Sequence, residues 1–276
     1  MKQIRTVTLN PRRLARNLLE SAPAPVQDVV RNWMTRIHLS AAGAAATVHD
    51  TSRRLARAAG QDWGFFTLYL PGIEHPLYAR PGTSDLDAFH AIFGRRLLAA
   101  DLGFDPRLIV DLGANVGYAT VDLALRYPGA SVVAVEPEAS NVEVLRRNVV
   151  GLPVVVVEAA IWPRATVLEL EEAEIGHVGF RFREASEVQH GVTAVTVPEL
   201  MRRAGANVID LIKVDIEGAE LELLTEEAEW LEHVRAICIE FHDSFRPGCM
   251  AAGEAALDAA GFRLLETRSG NHFYVR

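Results

Sequence analysis

From residue 107 onward, short apolar runs alternate with longer segments whose apolar positions recur at three- and four-residue spacing. The runs predict strands at 108–112, 131–136, 153–158, 208–215, 235–241 and 262–266, with a last one at 271–275. The periodic segments predict helices at 117–127, 138–149, 198–204, 218–228 and 250–260. The first two spans between strands are long enough for right-handed crossovers, so a parallel sheet with helices on both faces follows. A strand-rich insert occupies 164–197, with alternating stretches such as Ala165-Thr-Val-Leu-Glu-Leu170. Gly261-Phe-Arg-Leu-Leu-Glu266, a short turn and Asn271-His-Phe-Tyr-Val275 read as a closing antiparallel hairpin.

The chain before residue 107 follows other patterns. Val26, Val29, Val30, Trp33, Met34, Ile37 and Ala41 form one apolar stripe at helical spacing. Residues 1–60 are therefore expected to be a helical extension that serves as a lid, a docking element or a homodimer contact, with 61–276 as the main domain. Residues 63–80 (WGFFTLYLPGIEHPLYAR) read as a β-hairpin around a Pro-Gly turn. Ser84, with Asp87 three residues on, is the expected N-cap of a helix whose apolar face is Leu86, Phe89, Ile92, Phe93 and Leu97.

Composition narrows the class. With 49% hydrophobic and 23% charged residues, the chain reads as a soluble globular protein with a sizeable core. No apolar segment approaches the roughly 18 residues of a membrane-spanning helix, and the basic N-terminus lacks the apolar stretch of a secretory signal. Cys238 and Cys249 form no metal or disulfide framework, which fits a reducing, cytoplasmic setting. The net charge of −8 is uneven: residues 1–60 hold ten Lys/Arg and three acids, near +7, which leaves about −15 on the remainder. An acidic main body argues against a nucleic-acid groove.

The candidate chemistry starts at IVDLGANVGYATVDLALRYPGASVVAVE, residues 109–136. This is a βαβ layout with glycines in its first turn and an acid at the tip of its second strand, an arrangement that holds a nucleoside. The turn reads Asp111-x-Gly113-x-Asn115-x-Gly117 and lacks the third glycine of a dinucleotide turn. An acid two residues before the first glycine suits a cationic ligand and repels a pyrophosphate, which points to S-adenosylmethionine with its ammonium and sulfonium. Glu136 offers two acceptor oxygens to the 2′ and 3′ hydroxyls of a ribose. At the end of the third strand, either the Glu158 carboxylate or backbone amides near Ala160 meet the adenine.

The hairpin leading into Arg80-Pro-Gly-Thr-Ser-Asp85, the stretch VDLGANVG at 110–117, Asp210-Leu-Ile-Lys213-Val-Asp215-Ile-Glu217-Gly218-Ala-Glu220 and Ile239-Glu240-Phe-His242 together resemble the FkbM-type family of S-adenosylmethionine-dependent methyltransferases. The resemblance covers roughly residues 65–276, and the Lys-x-Asp-x-Glu-Gly-x-Glu pattern is its most specific part. It implies a Rossmann-like class I methyltransferase sheet, mostly parallel with an antiparallel last strand. It also implies methyl transfer to a hydroxyl of a sugar, glycolipid or secondary metabolite, and an Asp85 that reaches the amino-acid end of the cofactor.

Ligands of such a sheet bind beyond the carboxyl ends of its strands, where the fourth strand carries Asp215 and Glu217 and the fifth carries Glu240 and His242. An alcohol must lose its proton as it attacks, and a histidine suits that task. His242 is accordingly the expected base or substrate-orienting residue, with Asp215 as its partner or the alternative base. Glu217 and Glu240 orient the site, or Glu217 caps the helix beginning at Gly218. The same four side chains have the donor types for a divalent metal, without a tight spacing signature, and a metal is not favoured. N-methyl transfer and a non-catalytic cofactor-binding protein are the alternatives. Trp162 and His190, in or beside the insert, are weak candidates for an acceptor pocket.

Overall fold

The computed structural model describes residues 65–68, 70, 75–80, 83–171, 181–184, 191–244 and 246–276. The helical reading of residues 1–60, with its Trp33 stripe, and His190 lie outside them. The chain divides into two compact units, Met1–Arg96 and Leu97–Arg276. The hairpin and the helix after it thus group with the first unit, whereas the sequence placed them in the main domain.

In the first unit β1 (Phe66–Leu68) and β2 (Leu77–Ala79) pair antiparallel, with Phe66 opposite Ala79, as the hairpin reading expects. Helix α1 (Asp85–Phe89) runs directly into a π-helical turn at His90–Gly94. The cap differs from expectation: Ser84 makes no side-chain capping bond. Thr83 takes that place, its Oγ1 accepting from the Asp85 N–H at 3.2 Å while donating to the Arg80 carbonyl at 3.0 Å. The hydroxyl one residue earlier reaches the amide because the chain bends at Thr83 and Ser84.

The second unit is built on a seven-stranded sheet of order β12-β13-β11-β10-β3-β4-β5. Its strands are β3 (Leu108–Leu112), β4 (Ser131–Glu136), β5 (Val154–Glu158), β10 (Ile209–Val214), β11 (Val234–Glu240), β12 (Arg263–Arg268) and β13 (Asn271–Val275). The first five run parallel, and β13 is antiparallel to both β11 and β12, which is the closing hairpin read from the sequence. Strand β3 is buried at all five positions, as a strand covered on both faces must be. That burial is why its sequence is a continuous apolar run broken only by Asp111.

The helices are α2 (Tyr118–Arg126), α3 (Ala139–Asn148), α4 (Val197–Arg203), α5 (Glu220–Thr225) and α6 (Cys249–Ala259). Helix α3 starts where the Glu138 carboxylate accepts from the Asn141 N–H at 2.7 Å, and α4 where Thr196 Oγ1 accepts from the Glu199 N–H at 3.2 Å. The single helix expected over 218–228 is shorter. It stops at Thr225, and a 3₁₀ segment (Ala228–His233) follows Glu227, whose φ of 47° breaks the helical path. The insert forms β6 (Ala160–Ile161), β7 (Val167–Glu171), β8 (Arg181–Glu184) and β9 (Val192–Val195), in the order β6-β9-β7-β8.

Chain order sets the position of the site. From β3 the chain winds outward through β4 and β5, then returns to place β10 on the other side of β3. The carboxyl end of β3 is therefore the point where the winding reverses and helices leave the sheet to opposite sides, opening a crevice.

Candidate active site

Register assembles the site. Lys213 of β10 pairs with Asp111 of β3, and Glu136 of β4 with Glu158 of β5. Extending the ladder one residue past Leu112 and Val214 brings Glu158, Glu136, Gly113, Asp215 and Glu240 into a single row across the carboxyl ends. Two further bonds continue the ladder, from the Gly113 N–H to the Val135 carbonyl at 3.0 Å and from the Asp215 N–H to the Leu112 carbonyl at 3.2 Å.

The first turn is as tight as its glycines imply. Gly113 has φ of 75°, and a Cβ there would lie 1.8 Å from the Asp215 carbonyl oxygen. Gly117 has φ of 89°, and its missing Cβ makes room for Leu145 of α3. Between them Asn115, at φ of 50°, turns its N–H to Glu136 Oε2 at 2.8 Å. Glu136 Oε1 accepts from the Glu138 N–H at 3.1 Å and from Asn141 Nδ2 at 3.0 Å. Burial raises the Glu136 pKa, against the lowering effect of these three donors. A carboxylate has about four lone-pair sites, so Oε2 retains capacity for a further hydroxyl donor.

Asp111 requires a correction. The sequence argument has its carboxylate attract a cationic ligand, yet the side chain is wholly buried and already paired. Thr120 Oγ1 donates to Oδ2 at 2.6 Å, and Lys213 Nζ stands 3.2 Å from Oδ1. Lys213 Nζ is also 3.3 Å from Asp215 Oδ2 and donates to the Gly113 carbonyl at 3.4 Å. Burial works to lower the Lys213 pKa, but Asp111 and Asp215 outweigh it and the ammonium is held well above its ordinary value. Asp111 is thus the counter-ion of a buried lysine that ties the β3 turn to the β10 tip. Lys213, quoted in the motif but given no task, is the hub.

The other half of the row is built around His242. Its Nδ1 lies 2.8 Å from Glu220 Oε1, and Glu220 is fully buried in the first turn of α5. Glu220 also accepts the Ile216 N–H at 3.1 Å and the Gly218 N–H at 2.9 Å. An ionised carboxylate only accepts, so Nδ1 carries a hydrogen and the ring orientation is fixed. On the opposite side Nε2 faces Glu217 Oε2 at 3.4 Å and Asp215 Oδ1 at 3.8 Å. Burial opposes the charged imidazole, but the Glu220 bond and the charges of Glu220, Glu217 and Asp215 raise its pKa to about 9. Burial and the neighbouring Asp215 raise Glu217 to about 7. Glu240 is raised as well, by burial first and Asp215 second. Glu220, like Lys213, is a motif residue whose task was not foreseen. An acid in the first turn after Gly218 reads as a helix-dipole partner, and nothing in the spacing shows that it points inward.

The expectation that alternation carries Lys213, Asp215 and Glu217 along one strand is modified. Strand β10 ends at Val214, and Glu217 sits in the turn beyond with φ of 55°. It converges on His242 through a left-handed residue. The expected cap role is also absent: Glu217 makes no capping bond to α5, whose N-cap is Ala219. Asp215, Glu240 and His242 each place one donor atom within 4.8 Å of the others, as a metal site would require. The charges of Glu220, Glu217 and Asp215 favour a proton on this imidazole, with Nε2 directed at Glu217 and Asp215. We assign no ion here.

The remaining candidates sit apart from this cluster. Glu158 ends β5 with an exposed side chain paired to Arg146 at 3.0 Å. Ala160 is buried in β6, paired with Ala194. Trp162 is buried in a small cluster with Ala160, Leu168 and Ala194. Asp85 belongs to the first unit, where its carboxylate accepts from Arg80 N, Nε and Nη2 at 2.7, 3.0 and 2.9 Å. Among the described residues no helix is long and apolar enough to cross a membrane.

Residues 111–264 match the methyltransferase FkbM domain. The chain is 29% identical over 212 residues to methyltransferase sdnD of Sordaria araneosa, covering 62% of this chain and 78% of that one. It is 24% identical over 196 residues to methyltransferase 1 of Beauveria bassiana strain ARSEF 2860, covering 59% and 75%. Among solved structures, the fibrillarin pre-rRNA processing protein of Methanococcus jannaschii is similar with a TM-score of 0.42 and 14% identity, over 76% of this chain and 86% of that one.

Proposed function

The chain belongs to the FkbM methyltransferase family, and from that premise we propose that it moves a methyl group from S-adenosylmethionine to a hydroxyl oxygen of a small sugar, glycolipid or secondary-metabolite acceptor. When bound, the cofactor supplies an electrophilic methyl on a sulfonium. Glu136 fits its ribose, because both oxygens are held by protein donors while Oε2 keeps a free lone pair. With the Glu158 carboxylate drawn to Arg146, backbone near Ala160 is the better partner for an adenine edge. Asp111 acts one layer below, as the support of Lys213 and the turn.

One observation carries hydroxyl chemistry: a histidine locked from behind by a buried carboxylate presents its other nitrogen to half-exposed acids at the strand tips. Positioning an attacking oxygen is worth several kcal/mol, and a proton acceptor beside it typically adds about 10²–10⁴-fold. A site that only bound the cofactor would have no use for four acids around one imidazole. Their excess negative charge disfavours a phosphate or carboxylate on the acceptor at this point and suits a neutral polyol.

The test combines calorimetry with S-adenosylhomocysteine and product formation on a hydroxyl and amine panel with labelled S-adenosylmethionine. We expect binding and methylated hydroxyl product. Glu136→Ala should weaken cofactor binding by about tenfold or more, the value of a hydrogen bond to a charged group. His242→Ala should keep cofactor affinity and lose turnover. Folded protein that binds neither form of the cofactor rules the proposal out, and product only on amines turns it to N-methylation.

A further inference from the structure

Resting on the hydroxyl-methylation reading, we propose that Glu217 is a catalytic residue: its carboxylate receives the acceptor's hydroxyl proton, while His242 serves as the fixed donor that holds it. Sequence reasoning gives the base to His242, because histidine titrates nearest neutrality when unperturbed. The geometry reverses the two roles.

His242 Nδ1 is committed to Glu220, a wholly buried acceptor whose other bonds come from the Ile216 and Gly218 N–H groups and the Cys249 thiol. The ring therefore cannot turn over to offer a different nitrogen. At Nε2 it meets Glu217 at 3.4 Å and Asp215 at 3.8 Å, with Glu240 close by. An imidazole facing three acids holds its proton, so at neutral pH it is a donor with no vacancy for another. The acids differ among themselves. Asp215 is committed to the Lys213 ammonium at 3.3 Å. Glu240 lies on β11 beside the closing hairpin, its Oε1 next to Gly270. Glu217 has no lysine or arginine partner among the described residues, and its side chain is 31% exposed. Its proton affinity, near neutrality, matches what general-base catalysis requires.

The backbone gives a second, independent sign. Glu217 is held at φ of 55°, a conformation that costs a non-glycine residue free energy. That turn carries the Glu217 carboxylate off the line of β10 and to 3.4 Å from His242 Nε2.

The step balances. The acceptor O–H bond breaks, with its proton passing to a Glu217 oxygen and its electron pair forming the O–CH₃ bond. The S–CH₃ bond breaks in the same displacement, and its electron pair stays on sulfur, which leaves as the neutral thioether. The Glu217 proton then returns to solvent through the exposed edge of the crevice.

Glu217→Gln in the full chain provides the test, with the hydroxyl product from the panel as acceptor probe and S-adenosylhomocysteine as binding probe. We expect cofactor affinity within about twofold of the parent and turnover reduced by at least about 10²-fold. The parent's kcat/KM should rise as pH increases through about 7, where Glu217 ionises, and fall above about 9, where His242 loses its proton. The variant should lose the rise near 7.

Thermal melts give a readout independent of turnover. A carboxyl whose folded pKa is raised favours the folded state when protonated, so its destabilising effect develops as pH climbs from the unfolded value toward about 7. Glu217→Gln, a mimic of the protonated form, should melt with the parent at pH 5 and above it at pH 8. Turnover within tenfold of the parent, or a melting difference that does not change with pH, overturns the assignment. A parent that methylates no hydroxyl overturns it too, but is recognised in the unmodified protein as failure of the hydroxyl reading itself.

Discussion

The two halves of the strand-tip row handle charge in opposite ways. Around β3 and β4, polar groups are buried and already matched: Asp111 between Thr120 and Lys213, Glu136 among three donors. Around β10 and β11, Asp215 and Glu217 have side chains 30% and 31% exposed, and the Asp215 charge adds to burial in raising the proton affinity of Glu217 and Glu240. The first half resembles a well-packed interior, in which burying charge is tolerated because each charge is paired. The second gathers four acids around one imidazole and leaves two of them partly exposed to water. If the first half holds the cofactor and the second accepts the proton, as proposed above, the two halves divide rigidity from reactivity.

The sharpest way to break the contrast is at Gly113, where the halves touch. Gly113→Ala would push a Cβ into the Asp215 carbonyl and strain a positive φ. Overpacking and left-handed strain together cost about 3 kcal/mol or more. Urea unfolding of the full chain should show the loss, and cofactor binding should fall with it. Next comes the buried pair. Asp111→Asn leaves the Lys213 ammonium with Asp215 alone and should cost about 3–5 kcal/mol by the same measurement. The double change Asp111→Leu with Lys213→Met should recover most of that stability, since a buried pair can be replaced by apolar packing more cheaply than broken. It should not recover turnover, because Asp215 loses its partner. The smallest effect belongs to the edge of the first half. Arg146→Ala removes an exposed partner of Glu158 and should change stability by less than about 1 kcal/mol. A larger change in urea would mean that the first half depends on its rim as well as its interior.

How much of this was legible in the chain follows from the range of each interaction. The strands at 108–112 and 131–136 appear at their expected bounds because burial on two faces demands apolar runs, and 271–275 does so because a short turn pairs it with β12. The helix ends at 139 and 197 follow local capping by Glu138 and Thr196. Ser84 failed as a cap because Thr83, one residue away, had the better geometry, a choice made by backbone angles that residue types do not specify. The helix expected over 218–228 was interrupted because periodicity does not register a left-handed residue at Glu227.

At the site the division is the same. Spacing alone placed Asp111, Gly113, Gly117 and Glu136 in one βαβ unit, since strand, turn and helix are each specified within about a dozen residues. Which way each carboxylate points is a long-range matter. Asp111 and Lys213 are separated by more than a hundred residues and meet only through strand register. Glu220 faces His242 only because α5 and the end of β11 are brought side by side. The amino-acid sequence was sufficient for the sheet, the tight glycine turn after β3 and the presence of acids at its edge, all products of local pattern. The pairing that silences Asp111 and leaves Glu217 available needed the folded chain, because a carboxylate's reactivity depends on what stands within a few ångströms of it.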